Sequence, residues 1–332
     1  MATVYLESPG LVLRRRGGAL EMCRGDSILK VIPMADVDSV VVSSWAKITT
    51  PLMMEFLERG ISVHYLKPGG RYMGSVTPAR SRGWEVKMAQ YETLRDEARR
   101  LNLARSIVLG KLLGQRLLLQ RSVYRGKDID GTLLKASTDL KGLSRMASMA
   151  EDMDYLRGLE GHGAAIYFAS WPLLLRPPWS LDGRNRRPPR DPVNAMLSFG
   201  YTLLVGVIHN AVIGAGLDPL VGYLHPPFRN RSSLVLDLME EFRPAVIDRA
   251  VISLCNRGDM EPHWFELSPD GVTMTPSARR RLISSVEDRL NTEVTDRGSG
   301  ITTTFRRHAD FQARRWASAL KDDEDYRPLV FG

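Results

Sequence analysis

Cysteine is scarce in this chain of 332 residues: only Cys23 and Cys255 occur, far apart and each following an apolar residue. That excludes a CxxC-type zinc site by count and leaves two reduced, mostly buried thiols as the expectation. Long apolar runs are missing too. None approaches the ~20 residues that span a bilayer. The opening MATVYLESPG has no charged start leading into an apolar stretch, so no secretion signal is expected. Signatures that fit chemistry into one short motif are also lacking. There is no GxxxxGK(S/T), no GxGxxG after a strand, no HExxH and no GxSxG, which argues against the reactions those motifs support. No repeat of solenoid period occurs.

Acid is in deficit. Lys and Arg number 46 against 38 Asp and Glu, a formal charge of +8, which points to a polyanionic partner because cations on phosphates release condensed counterions. The basic residues come in runs at 14–16, 184–190, 229–231, 279–281 and 306–307. One run is usually a solvated face; five together favour nucleic acid.

Residues 3 to about 77 read as short β-branched strands, with Arg16-Gly17-Gly18 as a hairpin turn. One helix interrupts them, with Thr50 and Pro51 at its start and Gly60 at its end. From Trp84 to Tyr124 a 3.6-residue period sets Leu101, Ala104, Ile107, Val108 and Leu112 on one stripe. Further helices are expected over roughly 128–152, 152–175, 192–216, 231–256, 276–296 and 300–320. The boundary between a small β domain and a larger helical one falls near residues 78–86. The Pro- and Arg-rich stretch 176–192 reads as a loop, and KDDEDYRPLVFG as a mobile acidic end.

Two stretches carry candidate chemistry. In LEGHGAAIYFASW (159–171), Glu160 lies beside Gly161, Gly163, Ala164 and Ala165. Each glycine costs a helix roughly 1 kcal/mol, and the residues alone do not choose between close packing and a ligand site as the reason. In LHPPFRNRSSLVLDLMEEFRP (224–244), a helix over 232–243 sets Asp237 three residues from Glu240 and four from Glu241, on one face. Like charges so placed call for a cation. Arg243 can supply it as a salt bridge. A divalent metal is the other remedy, since carboxylates suit Mg²⁺ or Mn²⁺ and the imidazole of His225 favours Mn²⁺. Pro226 and Pro227 stiffen the loop behind His225. Spacing does not show that Glu160, His225 and Glu240 converge. The remaining histidines read as structural.

GLEGHGAAIYF, DPVNAMLSFGYTLL and GYLHPPFRNRSSLVLDLMEEFRP, in that order behind a strand-rich start, closely resemble the CRISPR adaptation endonuclease/integrase, the Cas-one family, over essentially the whole chain. The resemblance implies an α+β multidomain protein: a β-rich N-terminal domain, residues 1–85, for dimerisation and DNA contacts, then an all-α catalytic domain, residues 86–332. It implies a metal-dependent DNA endonuclease and integrase of the prokaryotic cytoplasm. That enzyme joins 3′-OH ends of double-stranded spacer precursors into the CRISPR repeat by transesterification. It works as a homodimer assembled with a small partner of the Cas-two family. By position, Glu160, His225 and Glu240 become the catalytic ligands of Mg²⁺ or Mn²⁺, with Asp237 a supporting acid and Glu241 a surface or salt-bridge residue. Some members carry Asp at position 240. The family's Arg-Pro-Ser-Leu is Arg231-Ser232-Ser233-Leu234 here, without the stiffening proline. Arg184, Arg186, Arg187, Arg229, Arg231 and Arg243 are the expected DNA contacts. A stand-alone nuclease on branched repair DNA and a non-catalytic nucleic-acid scaffold are the alternatives.

Overall fold

The β-branched runs of the first part pair into two four-stranded sheets, and the periodic remainder forms helices. In this computed structural model the chain divides into two compact units, residues 1–81 and 82–332. The structure describes residues 2–331 apart from 7, 43, 44, 68–71, 80–82, 127, 129, 186, 187, 229, 230 and 323.

In the N-terminal unit the strands are β1 (Ala2–Leu6), β2 (Leu11–Arg16), β3 (Ala19–Arg24), β4 (Ser27–Pro33), β5 (Val37–Val42), β6 (Lys47–Ile48), β7 (Ser62–Leu66) and β8 (Tyr72–Val76). One sheet runs β1-β5-β7-β8 and the other β4-β3-β2-β6. Helix α1 (Thr50–Glu58) lies between β6 and β7 in the chain, and its Leu52 and Phe56 join Leu6, Leu13, Leu20, Val40 and Val63 in one core. The turn expected at Gly17-Gly18 joins β2 to β3. Alternation along a strand explains the fate of the first basic run. Arg14 and Arg16 reach Glu21 on the neighbouring strand (3.0 and 3.4 Å), while Arg15 turns to the buried Glu55 of α1 (2.9 Å). Much of that run's charge is therefore matched within the unit.

The second unit contains α2 (Trp84–Arg95), α3 (Glu97–Tyr124), α4 (Thr132–Ser148), α5 (Met153–Ala169), the short α6 (Trp171–Leu174), α7 (Pro192–Gly214), α8 (Ser233–Met239), α9 (Arg249–Arg257), α10 (Pro276–Leu290) and α11 (Phe305–Lys321). Two hairpins that the sequence reading passed over, β9 (Phe265–Ser268) with β10 (Gly271–Met274) and β11 (Glu293–Thr295) with β12 (Thr302–Thr304), sit among these helices. The single helix expected over 84–124 breaks at Asp96, whose carboxylate caps α3 by accepting from Arg99 N at 3.0 Å. Helix α7 corrects the membrane expectation. Its 23 residues are long and apolar enough to cross a bilayer by length and composition, but most of its apolar window is buried inside the protein, as in a core helix.

The helix expected over 231–256 is not continuous. It stops at Met239, turns through residues 240–242, and resumes as a π-helical turn (Arg243–Asp248) before α9. Pro244 has no N–H for the α-helical ladder, and the backbone widens around it. The break sends neighbouring acids apart: Glu240 faces α3, while Glu241 faces α11 and the end of the chain.

Glu241 is buried, against the expectation of a surface residue, and it ties down the C-terminal stretch expected to be mobile. Its carboxylate accepts from Tyr326 Oη (2.6 Å), Leu329 N (2.9 Å) and Gln312 Nε2 (2.9 Å), and Tyr326, Leu329 and Phe331 are buried with it. Burial nevertheless outweighs these donors and pushes the Glu241 carboxyl up to about 7 from an ordinary 4.5. A carboxyl whose pKa rises on folding takes up a proton as the chain folds. Its contribution is thus full below the unfolded value and fades as pH climbs through the folded one. Stability of this unit is expected to fall by up to roughly 3 kcal/mol from pH ~4.5 to ~7, and Glu241→Gln to flatten that slope, as read from denaturant midpoints.

Candidate active site

Helix α5 carries Glu160. Its N-terminus is capped by Asp152, whose carboxylate accepts from Tyr155 N at 2.7 Å. The two glycines beside Glu160 serve different ends. At Gly163 a Cβ would run into Leu112 Cδ2, so the missing side chain lets α5 pack closely on α3; at Gly161 a Cβ would meet open space. That approach of α5 to α3 brings Glu160 to Lys111, the neighbour of Leu112.

Lys111 is the residue the sequence reading missed. Its ammonium is hydrogen-bonded to Glu160 Oε1 and lies 2.9 Å from Glu240 Oε2. Arg243 Nη1 meets the other Glu240 oxygen at 2.9 Å, which realises the salt bridge foreseen from spacing. Glu240 is 2% exposed. Burial alone would push its carboxyl up, but Arg243, Lys111 and His225 overcome that and hold it down at about 2. A signal for Lys111 did exist. It continues the stripe of Ala104, Ile107 and Val108, where the period demands an apolar residue, and Gln115 continues it one turn later.

His225 is fixed differently from the expectation. The acid of the following helix does the work attributed to Pro226 and Pro227. Asp237, fully buried on α8, accepts from the backbone N–H of Tyr223 (2.6 Å), Leu224 (3.1 Å) and His225 (3.0 Å) and lies 2.6 Å from His225 Nδ1. An ionised carboxylate only accepts, so the ring proton sits on Nδ1 and leaves Nε2 as the nitrogen not taken by Asp237. The loop is pinned again by Ser233 Oγ donating to Pro226 O at 3.0 Å. Gly222 is obligatory here: a Cβ would stand 2.7 Å from both His225 O and Ser233 C.

Glu160, Glu240 and Lys111 line one cavity of about 170 Å³, together with Tyr201, Arg243 and Asp248. His225 is not in that lining. Asp248 at the floor accepts from Tyr201 Oη (2.6 Å) and Tyr167 Oη (2.7 Å), and burial pushes its carboxyl up to about 6. Among the described residues, no three His, Cys, Asp or Glu side chains close on a common point as a formed metal cluster. The Lys111 ammonium instead holds the position between the two glutamates.

Of the arginines expected at DNA, Arg184, Arg231 and Arg243 are among the described residues. Arg184 donates to Asn194 Oδ1 (2.7 Å), Ser198 Oγ (3.1 Å) and Asn185 O, and lies over the Tyr201 ring. Its guanidinium is thus part of the wall beside the cavity. Arg243 stacks on the same ring, 4.9 Å from its centroid. Arg231 is half-buried and closes a backbone bridge with Phe228. Arg186, Arg187 and Arg229 lie outside the described residues.

Comparison with known proteins follows the same lines. The family model described as CRISPR associated protein Cas1 matches residues 4–288. CRISPR-associated endonuclease Cas1 1 of Thermus thermophilus is 36% identical over 98% of this chain and 98% of its own length. A Cas4/Cas1 fusion of Rhodospirillum rubrum, named as CRISPR-associated exonuclease and endonuclease, is 34% identical over 96% of the chain, which spans 56% of the fusion's length. Among solved structures, a casposase bound to integration product matches with a TM-score of 0.85 at 23% identity, covering 99% of this chain and 93% of that one. A chain from a Cas6-RT-Cas1–Cas2 complex matches with a TM-score of 0.81 at 24% identity, over 99% of this chain and 36% of that one. These last two likenesses speak to fold. With the family model spanning most of its length and a full-length relative above one-third identity, the chain belongs to the Cas1 family.

Proposed function

We propose that this protein is the metal-dependent integrase and endonuclease of CRISPR adaptation, joining 3′-OH ends of spacer DNA into the array by phosphodiester transesterification in the prokaryotic cytoplasm. One observation carries the reading. Two carboxylates from distant parts of the chain, Glu160 and Glu240, face a single cation in a cavity, with an imidazole of defined tautomer nearby. The relatives' name as endonucleases supports nuclease chemistry. The two structural neighbours, one bound to an integration product and one from a complex with Cas2, support DNA and a Cas2-type protein as partners.

The donor set suits a hard divalent ion: Glu160, Glu240 and His225 would hold Mg²⁺ or Mn²⁺ where Lys111 now supplies the positive charge. Such an ion, when bound, supplies Lewis-acid charge at the scissile phosphate and eases deprotonation of the attacking hydroxyl. The chain's own residues do the rest. Asp237 holds His225 in the tautomer that keeps Nε2 available. Tyr201 and Glu240 fix Arg243, which places a permanent cation at the cavity for the phosphate's charge. Glu240 stays ionised through the physiological range. In the N-terminal unit, edge strand β4 exposes Ile28, Leu29 and Val31, which supports a homodimer through that unit.

Glu160→Gln, His225→Asn and Glu240→Gln are each expected to abolish Mn²⁺-dependent joining of DNA 3′ ends while circular dichroism stays unchanged. Asp237→Asn should cost about 10–100-fold through loss of His225 orientation. Undiminished joining in the first three variants would remove the site assignment. Lys111→Met, which leaves buried Glu240 with Arg243 alone, should lower stability by about 3 kcal/mol in chelator. Mn²⁺ should restore more of that loss than it adds to the unmodified protein; equal Mn²⁺ shifts in melting temperature would show that the lysine and the metal do not share a place.

A further inference from the structure

Helix α3 sends a second polar residue to the carboxylate cavity, and the chemistry above does not use it. Gln115 stands one helical turn beyond Lys111 on the same face, and both line the cavity wall. At Gly114 a Cβ would come within 3.3 Å of Pro244 Cγ, so α3 lies directly against the π-helical turn and Gln115 is carried in beside Pro244. Gln115 is 3% exposed, and its Oε1 has no hydrogen-bond partner among the described residues.

The other polar side chains of this wall are matched to one another. Lys111 meets Glu160 and Glu240, Arg243 meets Glu240, and Tyr201 donates to Asp248. Gln115 Oε1 takes no part in that network. A buried amide oxygen left without a donor costs stability, and an apolar residue of similar size would remove the cost. Helix propensity gives no reason for the amide either, since Leu and Met serve a helix as well as Gln does. Arg243 holds back one buried donor in the same wall, its Nε. An open acceptor and an open donor on one cavity wall suit a guest that both donates and accepts. A hydroxyl does both, whereas an ionised phosphate oxygen only accepts.

We infer that Gln115 is a catalytic residue that receives the attacking hydroxyl: its Oε1 accepts the O–H of the incoming 3′ end and so turns the oxygen lone pair toward phosphorus. This role rests on the reading of the cavity as an integrase site and adds to it the group that aims the nucleophile. An amide is no base, so it orients the hydroxyl without taking its proton. As the incoming oxygen bonds to phosphorus, the bridging P–O bond of the target strand breaks. The proton given up by the first oxygen is balanced by the one that the departing 3′ oxygen gains, so no further reactant is needed.

Steady-state joining of a 3′-OH duplex to a target duplex by the full-length protein in Mn²⁺, with melting temperatures taken in chelator and in Mn²⁺, tests this role. Gln115→Met keeps the length and most of the volume but has no amide. Its kcat should fall about 100-fold, the penalty for a misdirected nucleophile, while KM for DNA stays the same. Its melting temperature in chelator should hold or rise, because an unmatched buried oxygen has been removed. The rise that Mn²⁺ brings should equal that of the unmodified protein. Undiminished kcat in Gln115→Met would overturn the inference. So would a lower melting temperature or loss of the fold in chelator, which marks the amide as structural. A higher KM at constant kcat, or a smaller Mn²⁺ rise, would equally overturn it, since the amide would then serve DNA binding or the metal. Failure of the unmodified protein to join DNA at all would instead bring down the proposed function, and this role with it.

Discussion

A buried lysine between two glutamates organises the helical unit. Glu240 is almost wholly enclosed, and an ionised carboxylate so placed is tolerable only beside cations. Lys111 from α3 and Arg243 from the π-helical turn provide them, and Lys111 also draws in Glu160 from α5. Three segments far apart in the chain are thereby held to one point. The adjacent residue shows how local this effect is. Glu241 has three hydrogen-bond donors but, among the described residues, no ion pair, and burial pushes its carboxyl up to about 7 where that of Glu240 is held at about 2. One peptide step separates an acid held ionised at the cavity from an acid that ties down the end of the chain.

Much of the architecture was legible. Short β-branched runs followed by 3.6-residue periods gave a β unit before a helical one, and the Gly17-Gly18 turn formed as expected, while α1 begins one residue early, with Thr49 rather than Thr50 at its cap and no side-chain capping bond. What spacing could not carry was the break after Met239, because Pro244 was read as lying within a helix. The acidic letters of the chain's end also concealed Tyr326, Leu329 and Phe331, whose burial depends on Glu241 from a distant segment.

The candidate site was legible only in part. From the residues alone, a salt bridge to Arg243 and a metal were both open, and the salt bridge is present. The resemblance supplied the roles of Glu160, His225 and Glu240 as ligands and of Asp237 as a supporting acid. The physical role of Asp237, which gathers the loop backbone and sets the tautomer of His225, came from the structure. Charge runs proved a poor guide to charged surfaces. Arg14, Arg15, Arg16 and Arg184 are engaged within the protein.

The central claim is that the place held by the Lys111 ammonium is the place of a catalytic divalent ion. Anomalous diffraction from a crystal soaked in Mn²⁺ tests it most directly. The account predicts a single strong peak between Glu160 and Glu240, within coordinating reach of His225, with the lysine ammonium displaced. A peak elsewhere, or Lys111 still bridging both glutamates at saturating Mn²⁺, would contradict it.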